Sequence, residues 1–340
     1  MNILFSCAGR RNYLIRFFRD ALKGSGKVVA TDMNFQTPAM SEADVAEITP
    51  EIYHDDYVDR LLEICQKHDI QAIIPLNDLD LPVLAAAKDR FIQKEIVPVV
   101  SDPSVVDLCF DKWKTFDFFN RIGIQTPQTY KSFDEATAAI RSGRLRFPLV
   151  VKPRWGSGSI AIEFAHDNEE LNLVYPLTVL KVKRSILHRA SSRQIDESVL
   201  IQEKIDGLEF GLDVMNDLAG NYVATITKQK LAMRAGETDK AVTVTNRSLQ
   251  KIGETLGTSL RHVANLDCDV FEKENTGTYY ALDLNPRFGG GYPFSHMAGV
   301  DLPAAILDWL QDKPTNLKHF DFQSGVAYTK CDTLIQLKST

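Results

Sequence analysis

The chain has 340 residues, 44% of them hydrophobic and 25% charged, with a net charge of −6 at pH 7. That length suits two or three domains with a sizeable core. The acidic balance argues against nucleic acid and anionic membrane as partners, since both select a basic footprint.

Five cysteines (Cys7, Cys65, Cys109, Cys268, Cys331) are scattered without CxxC spacing. They read as free thiols of a reducing compartment. The first apolar run has its positive charges behind it, the reverse of a signal peptide, and no run reaches membrane-spanning length. A cytoplasmic protein is expected.

Taken in chain order, residues 2–7 (NILFSC), 27–32 (KVVATD), 72–75 (AIIP) and 96–100 (IVPVV) read as strands. Between them, NYLIRFFRDALKG and DDYVDRLLEICQKH carry apolar residues at helical spacing. This alternation predicts a parallel, Rossmann-like α/β sheet at the N-terminus. A GxGxxG loop is missing, so dinucleotide binding is not expected despite Asp32. Arg10 and Arg11 follow the first strand, and Asn77, Asp78 and Asp80 follow the IIPL strand. Ligands of open α/β sheets bind beyond the strands' C-terminal ends, so these residues are either substrate contacts or caps. One helix, SVVDLCFDKWKTFDFFNRIG, is expected next, stopping at Gly123.

The remainder mixes helical and strand-rich stretches, as an α+β domain does. FPLVVKPRWGSGSIAIEFA (147–165) reads as an antiparallel hairpin, VLIQEKIDGLEFGLDV (199–214) as strand, connection, strand, and 269–285 as another hairpin.

VKPRWGSGS places Lys152 on a strand ahead of Gly156 and Gly158. Such a loop lets backbone N–H groups approach an anion, with the lysine adding charge. The spacing is not that of a Walker loop, and a hairpin turn with a surface lysine is the plain alternative. CDVFEKENTGTYYALDLN is more informative. A three-residue turn Asn275-Thr276-Gly277 sets Asp269 opposite Asp283, and Asn285 shares the face of Asp283. Facing carboxylates repel, and burying both is costly unless a cation neutralises them. Hard oxygen donors suit Mg²⁺ or Mn²⁺. A register slip by one residue would dissolve the pair.

Lysine loop, carboxylate hairpin and NPRFGGG, in this order, resemble the ATP-grasp superfamily of carboxylate ligases, in the style of carbamoyl-phosphate-synthase large subunits but with a single ATP-grasp unit. The resemblance implies a pre-ATP-grasp domain over 1–108 and an α+β ATP-grasp domain of two subdomains over 109–315. Its small lid would cover about 125–205, and a C-terminal segment 316–340 would follow. It also implies ATP and Mg²⁺ (or Mn²⁺) as cofactors. Lys112 and Lys152 would contact phosphates with Gly156, Ser157 and Gly158. Gln202 would lie near the adenine, beside backbone contacts from Glu203, Lys204 and Ile205, and Glu209 would take the ribose. Asp269, Asp283 and Asn285 would hold the metal, although Asp283 replaces a usual Glu and makes a two-metal site less expected. Arg287, with Lys152, would act on the transferring phosphoryl group.

The implied reaction joins a small-molecule carboxylate to an amine through an acyl phosphate. Within TKQKLAMRAGETDKAVTV (227–244), Arg234 is the candidate grip for the acceptor carboxylate and Glu237 for an amine, unless the stretch is a charged surface loop. Many such proteins dimerise, so a homodimer is allowed for. Competing readings on the same scaffold are a carboxyphosphate- or carbamoyl-phosphate-forming enzyme, a small-molecule kinase, and a non-catalytic nucleotide-binding protein.

Overall fold

The computed structural model describes residues 1–156, 160–274 and 276–337. Among these, no helix is long and apolar enough to cross a membrane. The N-terminal sheet contains β1 (Asn2–Ser6), β2 (Val28–Asp32), β3 (Val45–Ile48), β4 (Ile70–Pro75) and β5 (Val97–Pro98), in the order β3-β2-β1-β4-β5. Its pairings are parallel throughout. The central strands are apolar runs because both faces are covered. Phe5 packs with Leu14, Ile15 and Phe18 of helix Asn12–Leu22 on one face, and Leu4 with Leu61 and Ile64 of helix Tyr57–Lys67 on the other. Strand β3 was not foreseen, since its four residues VAEI are too short and too polar to give a strand pattern.

The loops after β1 and β4 open at the same edge. The first is fixed in shape: Cys7 and Gly9 have φ of 49° and 51°, and the Gly9 N–H donates to the Asp32 carboxylate at 3.0 Å. After β4, Asp80 is fully buried and accepts from Ser6 Oγ at 2.5 Å and from the Tyr57 hydroxyl at 2.9 Å. It therefore ties β1 and helix Tyr57–Lys67 to the loop after β4. Burial pushes its pKa up to about 6, against those two hydrogen bonds. A carboxyl whose folded pKa is raised stabilises the fold at low pH and loses that stability as pH rises. Stability should fall by roughly 3 kcal/mol between about pH 4 and pH 6 on this account. Urea unfolding across that range should show the fall in the wild type and a flatter profile in Asp80→Asn; parallel profiles would contradict the assignment.

The helix expected over 104–123 is broken into Pro103–Phe110 and Lys112–Arg121. At the break, Asp111 adopts an extended conformation and caps the second helix by accepting from the Trp113 N–H at 3.0 Å. Lys112 thereby becomes the first residue of a helix instead of its middle.

A four-stranded antiparallel sheet follows, made of β6 (Thr129–Tyr130), β7 (Leu149–Pro153), β8 (Glu163–Ala165) and β9 (Val199–Glu203) in the order β6-β9-β7-β8. A six-stranded antiparallel sheet completes the chain: β10 (Gly207–Asn216), β11 (Tyr222–Arg234), β12 (Glu237–Val244), β13 (Ala264–Lys273), β14 (Thr278–Asn285) and β15 (Ala327–Thr329), in the order β14-β13-β10-β11-β12-β15. Thus β9 and β10, adjacent in sequence, belong to different sheets. Residues 327–329 of the C-terminal segment pair with β12 at the sheet's edge.

The β13–β14 hairpin does bring Asp269 opposite Asp283 and Asp267 opposite Asn285. Its turn, however, is one residue longer than the three-residue form expected. Lys273 pairs with Thr278, and Gly277 takes the left-handed conformation at φ 65°. Asn275 lies outside the described residues. Leu282 then bulges out between the pairs Val270–Ala281 and Asp269–Asp283, which restores the register.

Candidate active site

A cavity of about 390 Å³ lies where the three sheets meet. The N-terminal sheet contributes Arg10, Arg11, Asn77 and Asp78 from the loops after β1 and β4. The four-stranded sheet contributes Lys152 at the end of β7, then Trp155 and Gly156. From the opposite wall, β13 and β14 present Asp267, Asp269, Asp283 and Asn285, with Lys112, Lys230, Glu237 and Arg287 around them.

Three carboxylates on one hairpin would repel, and each has a cationic partner. Lys152 lies 3.2 Å from Asp283, Lys230 lies 2.6 Å from Asp269 and 2.7 Å from Glu209, and Arg287 lies 3.4 Å from Asp267. The electrostatic problem posed by the hairpin is thus met by lysines and arginine of the chain itself, where the sequence suggested a metal alone. Burial works to raise the Asp283 pKa, but Lys152 and Lys112 hold it below the usual carboxylate range. At Asp269 burial prevails over Lys230, with Asp267 adding to the rise. Burial lowers the Lys112 pKa, with Asp283 opposing. Arg287 also reaches across to the N-terminal sheet, where its Nη2 meets Asp78 at 2.7 Å. Asp78 and Asp267 together outweigh its burial and keep it charged. Its buried Nε has no hydrogen-bond partner among the described residues.

Of the residues singled out in the sequence, Lys112, Lys152, Gly156, Asp269, Asp283, Asn285 and Arg287 share this cavity. Lys112 Nζ donates to the Gly156 carbonyl, so the lysine already touches the glycine loop. Ser157 and Gly158 lie outside the described residues. Gln202 is buried on β9, donating to Thr129 Oγ1 at 2.8 Å, and Glu203 accepts from the Gln128 N–H at 3.4 Å. Lys204, which pairs with Asp206, and Ile205 form the link where pairing stops between the two sheets. None of these four lines the cavity, and Glu209 connects with it through Lys230.

Arg234 is the clear departure. It sits beside the β11–β12 turn, half exposed, paired with Asp239 and Asp332 at 2.9 Å each, and it does not line the cavity. Arg234 is drawn to Asp239 and Asp332, and Met233, Glu237 and Thr238 line the cavity instead. Lys230 and Asp267 were missed. β10 pairs with β11 from Phe210 opposite Gln229 to Asn216 opposite Tyr222, with a register shift between Met215 and Asn216. Arithmetic on the turn DLAGN (217–221) sets Glu209 opposite Gln229 and misses Lys230 by one residue because of that shift, whereas Asp267 is simply two residues before Asp269 on the same face.

Hard oxygen donors on one strand face fit a small divalent cation. Among the described residues, no three His, Cys, Asp or Glu side chains cluster tightly enough to hold one unaided.

Residues 196–334 match the family model described as "ATP-grasp in the biosynthetic pathway with Ter operon". The chain belongs to the ATP-grasp superfamily. Residues 3–100 of this ATP-grasp chain match a second model, "PylC-like, N-terminal domain". It is 32% identical over 119 residues to a D-alanine–D-alanine ligase of Marinomonas sp., covering 35% of this chain and 33% of that protein. It is 22% identical over 223 residues to a carbamoyl phosphate synthase large chain of Clostridium beijerinckii, covering 62% of this chain and 19% of the other. The ATP-grasp chain thus spans a third or less of the length of these relatives. Its fold is similar to the biotin carboxylase domain of the Hydrogenobacter thermophilus 2-oxoglutarate carboxylase, solved with MgADP, ADP and bicarbonate. The TM-score is 0.74 at 16% identity, over 96% of this chain and 73% of that one.

Proposed function

We propose that this chain is an ATP- and magnesium-dependent ligase that activates a carboxylate as an acyl phosphate for attack by an amine. The observation that carries the reading is the meeting of Lys112 and Lys152 with Asp269, Asp283 and Asn285 in one cavity. Ligase names among the relatives, and MgADP in a structure of similar fold, support it.

Lys152 has two anionic choices, Asp283 as found and a nucleotide phosphate when one arrives. Magnesium bound at Asp269, Asp283 and Asn285 would neutralise charge on the transferring phosphoryl group. Lys152, released from Asp283, and Lys112 would hold phosphate oxygens, while Gln202 to Ile205 and Glu209 would take the base and ribose. The substrate carboxylate oxygen attacks the γ-phosphorus, the bond to the β-phosphate oxygen breaks, and ADP leaves. The amine then attacks the acyl carbon, expelling phosphate and one proton and leaving an amide. Arg287, held between Asp78 and Asp267, stabilises negative charge on the acyl phosphate.

Hydroxylamine tests the intermediate. With ATP, magnesium and the correct acid it should give a hydroxamate in place of the amide; ADP release without hydroxamate would contradict the acyl phosphate.

Acceptor recognition moves from Arg234 to Arg10. Arg10 is exposed, lines the cavity and makes no ion pair among the described residues, whereas Arg234 is occupied by Asp239 and Asp332. Charged hydrogen bonds of this kind are worth enough that Arg10→Gln should raise the KM of one substrate about 10- to 100-fold. Arg234→Gln should leave both substrate KM values unchanged. Steady-state kinetics giving the opposite pattern would restore the original assignment.

A further inference from the structure

Lys112 and Lys152 come from different parts of the fold, a helix start and the end of β7, yet both line the cavity. Next to each lies one half of a buried ion pair. Asp111 precedes Lys112, and Arg154 follows Lys152 by two residues. Arg154 Nε meets Asp111 Oδ1 and Arg154 Nη2 meets Asp111 Oδ2, both at 2.7 Å, and the side chains are 3% and 6% exposed.

The same junction is fixed in the backbone. Asp111 and Trp155 form an isolated antiparallel bridge, the Lys112 N–H donates to the Arg154 carbonyl at 3.1 Å, and the Arg154 N–H donates to the Ser198 carbonyl at 2.9 Å. Arg154 is held on its remaining side by Glu197 at 2.9 Å, and its guanidinium stacks 4.4 Å over the Trp155 ring.

A buried ion pair is weak evidence for stability, because desolvation offsets much of the attraction. What a planar two-pronged contact supplies is orientation. Asp111 is also the residue that breaks the helix and makes Lys112 a first-turn residue. We infer that the Asp111–Arg154 pair sets the separation of Lys112 and Lys152, making both members positioning residues for the phosphates of a bound nucleotide. The inference rests on the nucleotide site proposed above.

Calorimetric titration of the full chain with MgADP, and separately with adenosine, tests it. Wild type that binds no MgADP would overturn the nucleotide site itself. Given wild-type binding, Arg154→Lys, which keeps the charge and loses the fork, should weaken MgADP about 100-fold, as misplaced groups do. Asp111→Asn should do likewise. Adenosine has no phosphate for the lysines to meet, so its affinity should stay within about twofold. Unchanged MgADP affinity would overturn the proposal. So would equal weakening of MgADP and adenosine, which marks a general structural defect. If neither variant gives a cooperative thermal melt, the pair is a folding element and the positioning role is refuted.

Discussion

Asp283→Ala should abolish ADP release while leaving the fold intact. Asp283 is the carboxylate on which the two lysines proposed to hold phosphates converge: Lys152 lies 3.2 Å away, and Lys112 helps hold its pKa low. Without it the proposed cation loses a charged ligand, and Lys152 loses the partner that places it. Loss of roughly 4 kcal/mol of transition-state stabilisation is a fall of about 1,000-fold in turnover. Asp283→Asn, which keeps an oxygen donor without the charge, should recover part of that loss. A coupled ADP assay with circular dichroism as fold control decides the matter. Turnover equal to wild type would remove Asp283 from the metal site.

The second large effect belongs to Lys230. Its ammonium is nearly buried between Glu209 and Asp269, which outweigh burial and keep it charged. Lys230→Met leaves those two carboxylates facing one another without a cation. Removing one partner of a buried ion set typically costs about 3–5 kcal/mol. Denaturant unfolding should show a loss of that size, and nucleotide affinity should fall with it, because Lys230 joins Glu209 to the carboxylate hairpin. Adding Asp269→Asn to Lys230→Met should restore part of the stability, since the uncompensated charge is gone. A Lys230→Met variant as stable as wild type would mean that solvent relieves the carboxylates without help.

Much of this arrangement was legible in the chain because it depends on local periodicity. Strand–helix alternation over the first hundred residues gave the parallel sheet, and turn chemistry at Gly277 gave the hairpin that joins Asp269 to Asp283. That success contained a compensation. The longer turn shifted the register by one, and the Leu282 bulge shifted it back, which no local pattern reveals. The break at Asp111 was hidden for a related reason. PSVVDLCF and KWKTFDFFNR are both good helical sequences, and the interruption comes from Arg154, some forty residues downstream. Lys230 was missed because its partners lie on two other strands, and Arg234 stays outside the cavity because it is held by Asp239 and by Asp332, nearly a hundred residues downstream. Long-range register is what the sequence pattern lacks. The ordered motifs were nonetheless sufficient to reach the superfamily.

The most direct test of the ligase reading is ADP formation from MgATP with amino acids supplied singly and in pairs, with mass spectrometry of the products. The account predicts ADP and an amide in equal amounts when the correct acid and amine are both present, and neither product when magnesium is chelated. Stoichiometric ADP and a stable phosphorylated acid from one substrate alone, or failure of the wild-type chain to bind MgATP, would contradict it.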